Sequence, residues 1–286
     1  MQLLVSVKYK EALSAMAAQI PRHNDIIIVS AISSNHYLEG QAMLYNLHHN
    51  LFPHLTNFTF VYYNLGLTPA QRRYLANICR CVMIDFPFEM FPDFVSALKC
   101  YTWKPLIVNA AIQRAELVFW VDASIRFHPD PRRLLALLDR GRERGVQVGW
   151  SRTTISKTTL QSMFHFFGDE ACAYVPYNQG LSGVAIFHNE QLIRRVVLEP
   201  WAACALSDQC MCPQSGVDLF QVRISCHENV GENFYGVCHR FDQSALSILL
   251  TKLYQENVNH VMLQDIAQFI DIKRGDQREY GIRVDD

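Results

Sequence analysis

Four stretches of the chain combine acids, bases and hydroxyls in patterns that could do chemistry. In the first, the apolar run Leu117-Val118-Phe119-Trp120-Val121 ends abruptly in Asp122-Ala123-Ser124. A carboxylate at the C-terminal end of a buried strand is costly unless a charged group meets it. That end of an α/β sheet is also where nucleotides bind. Asp122 is therefore a candidate holder of a divalent cation or a ribose hydroxyl, with Ser124 beside it. Arg126, just beyond, is a candidate partner for phosphate. Oxygen ligands of this kind suit magnesium or manganese, which bind through few protein groups plus substrate phosphates. The plainer reading is an Asp that caps the next turn.

The second stretch, Tyr101-Thr102-Trp103-Lys104-Pro105, puts a lysine at a helix start, where it could help the helix dipole hold an anion. An aromatic anchor with a solvated lysine would look the same. In the third, Gly180 and Gly183 flank the start of a strand and allow a ligand close to the backbone. Simple turn chemistry is the rival. In the fourth, Cys238-His239-Arg240-Phe241-Asp242 crowds polar groups at a helix N-terminus. Asp242 could orient or deprotonate a hydroxyl, or merely cap the helix. His239 could bind a metal, although a lone histidine is more often structural.

The elements that must position these residues are legible. β-Branched residues mark strands over 26–31 and 58–63, with a further strand at 81–86. Helical spacing of apolar residues follows over 37–51. Thr68-Pro69 opens another helix, and Asp130-Pro131 opens one that Gly145 closes. A helix runs from about 103 to 114, then the strand to Asp122, then strands at 146–150 and 181–187. Residues 241–254 form a helix with Asp242 in its first turn. Strands alternating with helices indicate an α/β sheet with crossovers. Residues 1–24 read as an N-terminal, amphipathic helical segment, 25–260 as one domain, and 261–286 as a charged C-terminal extension.

The net charge is -1, which gives no basic face for nucleic acid. No apolar run is long enough to span a membrane, and the N-terminal residues make a poor signal peptide. Phosphate-loop, dinucleotide, nucleophile-elbow and zincin signatures are absent. The chain has nine cysteines. The late cluster, Cys204, Cys210, Cys212, Cys226 and Cys238, does not match zinc spacing and reads as disulfides, which need an oxidising compartment. Cys79, Cys81, Cys100 and Cys172 read as core thiols. The sequon Asn57-Phe58-Thr59 suits a lumenal or secreted chain.

Together these stretches resemble nucleotide-sugar glycosyltransferases of the GT-A type. Val121-Asp122-Ala123-Ser124 is similar to their Asp-x-Asp element. The 182–189 stretch is similar to the glycine-containing strand of glycogenin-like members, and Asp242-Gln243-Ser244-Ala245-Leu246 to their Asp-Gln-x-x-Leu motif. The resemblance spans roughly 24–255. A closer one, to an animal family of domains of unknown function, lies in 33–37, 63–67, 101–105, 120–126 and 240–245. It implies a Rossmann-like, mostly parallel sheet with helices on both faces.

The resemblance implies transfer of a sugar from a nucleotide-diphosphate donor to a hydroxyl of a glycan, protein or lipid, in the lumen of the secretory pathway or outside the cell. Ala31, Ser33 and Gly183 would flank the nucleotide. Asp122, aided by His239, would hold manganese or magnesium. Lys104 or Arg126 would meet the diphosphate, and Asp242 would serve the acceptor. Ser124 stands where the family has a second Asp, so one carboxylate is lost at the metal. The rival reading is an inactive domain of this fold that binds a glycan or a protein. A nucleotidyltransferase would need a glycine-rich loop after the first strand, and 31–35 has no glycine.

Overall fold

Strand side chains alternate between two faces, and both faces are covered. Along β1 (Asn24–Ile32), Ile27 and Val29 enter one core while Ile26, Ile28 and Ile32 enter the other. β4 (Ala115–Val121) repeats the pattern, with Val118 and Trp120 on one side and Leu117, Phe119 and Val121 on the other. This two-residue period explains why the strands read as unbroken apolar runs. The protein is described by a computed structural model covering residues 3–21, 24–214, 226 and 238–275.

The main sheet has the order β3 (Val82–Asp85), β2 (Phe58–Asn64), β1, β4, β7 (Asn178–His188), β6 (Val146–Thr154), β8 (Met262–Leu263). β7 runs antiparallel to β4 and β6, and the other pairings are parallel. This is the mixed, mostly parallel α/β sheet expected from the sequence.

Helices cover each face. α1 (Val7–Ala18), α4 (Trp103–Ala111), α6 (Gln161–Phe166), α8 (Glu199–Ala205) and α9 (Phe241–Tyr254) pack on one core. α7 (Gln191–Ile193) runs through a π-turn into α8. α2 (Tyr37–Asn46), α3 (Pro69–Ile78) and α5 (Pro131–Arg144) pack on the other. Each fully buried Leu, Ile or Val in these layers contributes about 1.5–3 kcal/mol. Helix ends follow their sequences. Thr68 and Gln71 form a capping box around Pro69, and α5 starts on the Asp130 carboxylate and stops at Gly145, whose φ is 77°.

Two terminal segments are integrated into this body. Leu13 and Met16 of α1 lie in the core, and the segment after 260 supplies β8. The same segment supplies β9 (Ile270–Ile272), which pairs with β5 (Ile125–Phe127) directly after Asp122. Charged neighbours make this stretch read as a surface tail, but Ile270 is buried and anchors it.

Disulfides join Cys100 to Cys212, Cys204 to Cys210 and Cys226 to Cys238, as the late cluster suggests. The core-thiol expectation is corrected for all four residues. Cys100 is one of those partners, and Cys79 bonds Cys81. Cys172 keeps a free thiol but is exposed rather than in the core. Among the described residues, no helix is long and apolar enough to cross a membrane.

Candidate functional site

The strand from Ala115 delivers Asp122 to the C-terminal edge of the sheet, and the first turns of α4 and α9 deliver Lys104 and Asp242 to the same point. The Lys104 ammonium lies 3.0 Å from Asp122 Oδ1 and 2.9 Å from Asp242 Oδ2. It donates to the Ser182 carbonyl at 3.4 Å. The faces of Trp120 and Tyr101 lie 5.1 and 5.7 Å from it, within cation–π range. The lysine side chain is only 2% exposed. Two carboxylates, two rings and a carbonyl therefore surround one buried cation.

Hydrogen bonds fix the carboxylates in turn. Trp120 Nε1 donates to Asp122 Oδ1 at 2.7 Å, and Ser182 Oγ donates to Asp242 Oδ2 at 2.7 Å. The Asp122 amide donates to the Gly183 carbonyl at 2.8 Å. A methyl group on Gly183 would lie 3.2 Å from Asp122 Oδ2, so the glycine keeps that oxygen's space open.

Electrostatics follow from burial and from these pairs. Burial is the largest single influence on Lys104 and opposes its charge. Asp122 and Asp242 together outweigh it and hold the ammonium above the usual lysine pKa. Burial pushes the Asp242 carboxyl up; Lys104 opposes that rise and Asp122 reinforces it. A lysine is unfavourable at a helix N-terminus, whereas Asp242 at the start of α9 is favourable. The two carboxylates are what make Lys104 tolerable in the first turn of α4.

The backbone is unusual on both sides of this cluster. Tyr101 and Phe241 adopt positive φ, 56° and 46°, and their rings lie 6.0 Å apart. Each such non-glycine residue costs on the order of 1–3 kcal/mol, and residues of this kind gather at functional sites. Sequence reasoning misses them, because aromatic residues carry no signal for this conformation. It also passes over Trp120 and Ser182 as partners. Trp120 stands two residues before Asp122, and strand alternation puts it on the same side.

The cluster opens into a cleft of about 280 Å³. Ala31, Ser33, Lys104, Asp122, Ser124, Gly183, His239 and Asp242 all line it, along with His36, Arg240 and Arg274. Eight of the nine expected site residues are thus brought together. Arg126 is not among the lining residues. Its guanidinium donates to the carbonyls of Ala123, Ile125 and Glu39, at 2.7, 2.8 and 3.1 Å. Arg126 is corrected from a phosphate partner to a brace between β5 and α2.

His239 requires a correction too. It reaches the cleft wall, but both ring nitrogens are engaged. Nδ1 accepts from the Leu160 amide at 3.3 Å and Nε2 donates to the Met211 carbonyl at 3.2 Å. Burial pushes its pKa down to about 4, against the opposing pull of Met211. It is a neutral structural histidine rather than a metal ligand. Ser124 lines the cleft, and its carbonyl accepts from the Lys273 amide at 2.8 Å.

These donors do not fit a divalent cation. Asp122 Oδ1 and Asp242 Oδ2 are occupied by the ammonium, His239 is engaged elsewhere and Ser124 adds no charge. Among the described residues, no group of three or more His, Cys, Asp or Glu side chains comes together to hold a metal. A second cavity, of about 340 Å³, lies between α1, α4 and the α7–α8 helix. It is lined by the Lys10–Glu199 pair and by Arg194 and Arg195, and it lacks a buried charged cluster.

Residues 1–109 match a family described as "Protein of unknown function (DUF1647)". No curated protein matches the chain in sequence. Solved structures resembling it include the bifunctional glycosyltransferase WbbM, at 13% identity and TM-score 0.41, covering 64% of this chain. This chain spans only 36% of WbbM. The galactosyltransferase LgtC, complexed with donor and acceptor sugar analogues, is 16% identical at TM-score 0.39, covering 81% of this chain and 71% of its own. Core-mannan synthase A of Aspergillus fumigatus, in an Mn/GDP form, is 11% identical at TM-score 0.43, covering 88% of this chain and 74% of its own.

Proposed function

We propose that this protein transfers a sugar from a nucleotide diphosphate to a hydroxyl acceptor on a GT-A-like sheet. The observation that carries the proposal is the convergence of Asp122, Lys104 and Asp242 in a cleft at the C-terminal ends of β1 and β4. That edge is the nucleotide position of α/β sheets. The first turns of α4 and α9 both line the cleft, and the positive ends of their helix dipoles favour an anion there. Arg240 and Arg274 add positive charge on its wall.

In this reading Ala31 and Ser33 flank the nucleoside, and Asp122 accepts a hydrogen bond from a ribose or sugar hydroxyl. Lys104 holds the two carboxylates apart and sets its charge behind the diphosphate. The acceptor oxygen bonds to the anomeric carbon, the bond from that carbon to the diphosphate breaks, and the acceptor's proton passes to Asp242. The raised pKa of Asp242 suits a carboxylate that takes a proton. The disulfides and the absence of a membrane-crossing helix among the described residues are compatible with a lumenal or secreted protein.

One observation favours the second reading, a binding module. The lysine and the carboxylates already satisfy one another, as in a purely structural triad. Calorimetry with uridine and guanosine diphosphate sugars distinguishes the proposals, followed by donor hydrolysis without acceptor. Binding that Asp122→Asn weakens, with slow hydrolysis that Asp242→Asn removes, is the expected result. Binding without hydrolysis or transfer favours the module. No heat with any donor removes the nucleotide-sugar reading.

A further inference from the structure

We infer that the Lys104 ammonium is the resident cation of this centre, filling the place between Asp122 and Asp242 that a divalent metal would need. The site therefore engages its ligand with no metal ion bound. The inference extends the proposed function. It rests on that reading for the identity of the anion, and on geometry alone for the exclusion of metal.

The ammonium meets one oxygen of each carboxylate at 3.0 and 2.9 Å. A magnesium-sized ion would need such oxygens at about 2.0–2.1 Å. It would then lie against a cation that cannot withdraw, because Lys104 is buried beneath Trp120 and Tyr101. Two positive charges at that separation repel strongly in a poorly solvated site. Deprotonating the lysine is no escape, since the carboxylates hold its pKa above the usual value.

The surroundings support the same assignment. Ser182 supplies a carbonyl to the ammonium and a hydroxyl to Asp242. An ammonium carries three donors and no acceptor, and the two carboxylates and this carbonyl meet that number. The oxygens left over, Asp122 Oδ2 beside Gly183 and Asp242 Oδ1, belong to carboxylates already paired with the ammonium, and with a serine hydroxyl they make a poor magnesium or manganese site. Arg240 and Arg274 on the cleft wall supply the charge that one ammonium lacks relative to a divalent ion. Lys104 is a positioning residue: it holds Asp122 and Asp242 in register and need not touch the ligand.

Manganese alone is the probe. Free Mn²⁺ is followed by electron paramagnetic resonance during titration of the full chain, with no nucleotide present. Wild-type protein is expected to show no Asp122-dependent site up to about 1 mM. Lys104→Ala removes the ammonium and opens its space. It is expected to gain one site at least roughly tenfold tighter than that limit, which Lys104→Ala/Asp122→Asn loses again. A wild-type site abolished by Asp122→Asn overturns the inference. So does a folded Lys104→Ala protein that binds no manganese. Lys104→Ser, which leaves a hydroxyl for the carboxylates, replaces Lys104→Ala if that variant does not fold. If neither folds, the wild-type titration decides alone. Failure of nucleotide sugars to bind removes the proposed function without touching this result.

Discussion

Replacing Lys104 by Met keeps most of the side-chain volume and deletes the charge. Two ion pairs disappear, and Asp242 is left buried beside Asp122 with only the Ser182 hydroxyl as a donor. Removing one partner of a buried pair costs about 3–5 kcal/mol. Asp122 is about one-third exposed and recovers water, so most of the loss falls on Asp242. Without Lys104 the Asp242 pKa rises further above its unfolded value. A group whose folded pKa is raised contributes most below its unfolded pKa, and the contribution fades as pH climbs through the folded one.

The destabilisation by Lys104→Met, relative to wild type at the same pH, is therefore expected to be larger at about pH 8 than at about pH 5. Lys104→Met/Asp242→Asn should recover at least about 2 kcal/mol of it, a coupling in the range for contacting charges. Urea unfolding followed by tryptophan fluorescence measures both, since Trp103 and Trp120 pack beside the cluster. A loss that is equal at both pH values, together with strict additivity in the double variant, refutes the reasoning.

Other perturbations separate the roles assigned here. The His239 pKa is depressed to about 4, so its contribution is complete above the unfolded value near 6.5 and lost as pH falls toward 4. Wild type should lose roughly 3 kcal/mol across that window, and His239→Gln should flatten the profile in urea titrations at stepped pH. Gly183→Ala puts a methyl group 3.2 Å from Asp122 Oδ2 and should weaken nucleotide-sugar binding about tenfold in calorimetry, with little change in unfolding midpoint. Arg126→Ala strips donors from three carbonyls and should cost about 2–3 kcal/mol of stability while the folded protein keeps its donor affinity. Loss of affinity without loss of stability would restore Arg126 to the site.

Much of this architecture is legible because it is local. The strand to Asp122, the helix from Phe241 and the caps at Thr68 and Asp130 follow from periodicity and end chemistry. Asp122 and Asp242 stand out for the same reason: each is a charge at the end of an apolar element. What joins them is not local. Lys104 meets Asp242 only because α4 and α9 pack on the same face of the sheet, and no spacing in the chain records that. Arg126 and His239 mislead in the opposite way. Their neighbours suggest ligands, but their partners are main-chain carbonyls and an amide set by tertiary packing. Cys79, Cys81 and Cys100 each have an apolar neighbour and resemble core thiols; Cys100 pairs across a sequence separation of 112, a partner that only the fold supplies.

Two of the disulfides stand immediately upstream of the charged pair. Cys100 precedes Lys104 and bonds Cys212, while Cys238 precedes Asp242 and bonds Cys226. The sheet carries no such crosslink beneath Asp122, whose strand is held by its neighbours. The positions of Lys104 and Asp242 therefore depend on the redox state of these cysteines, whereas that of Asp122 depends on strand pairing alone.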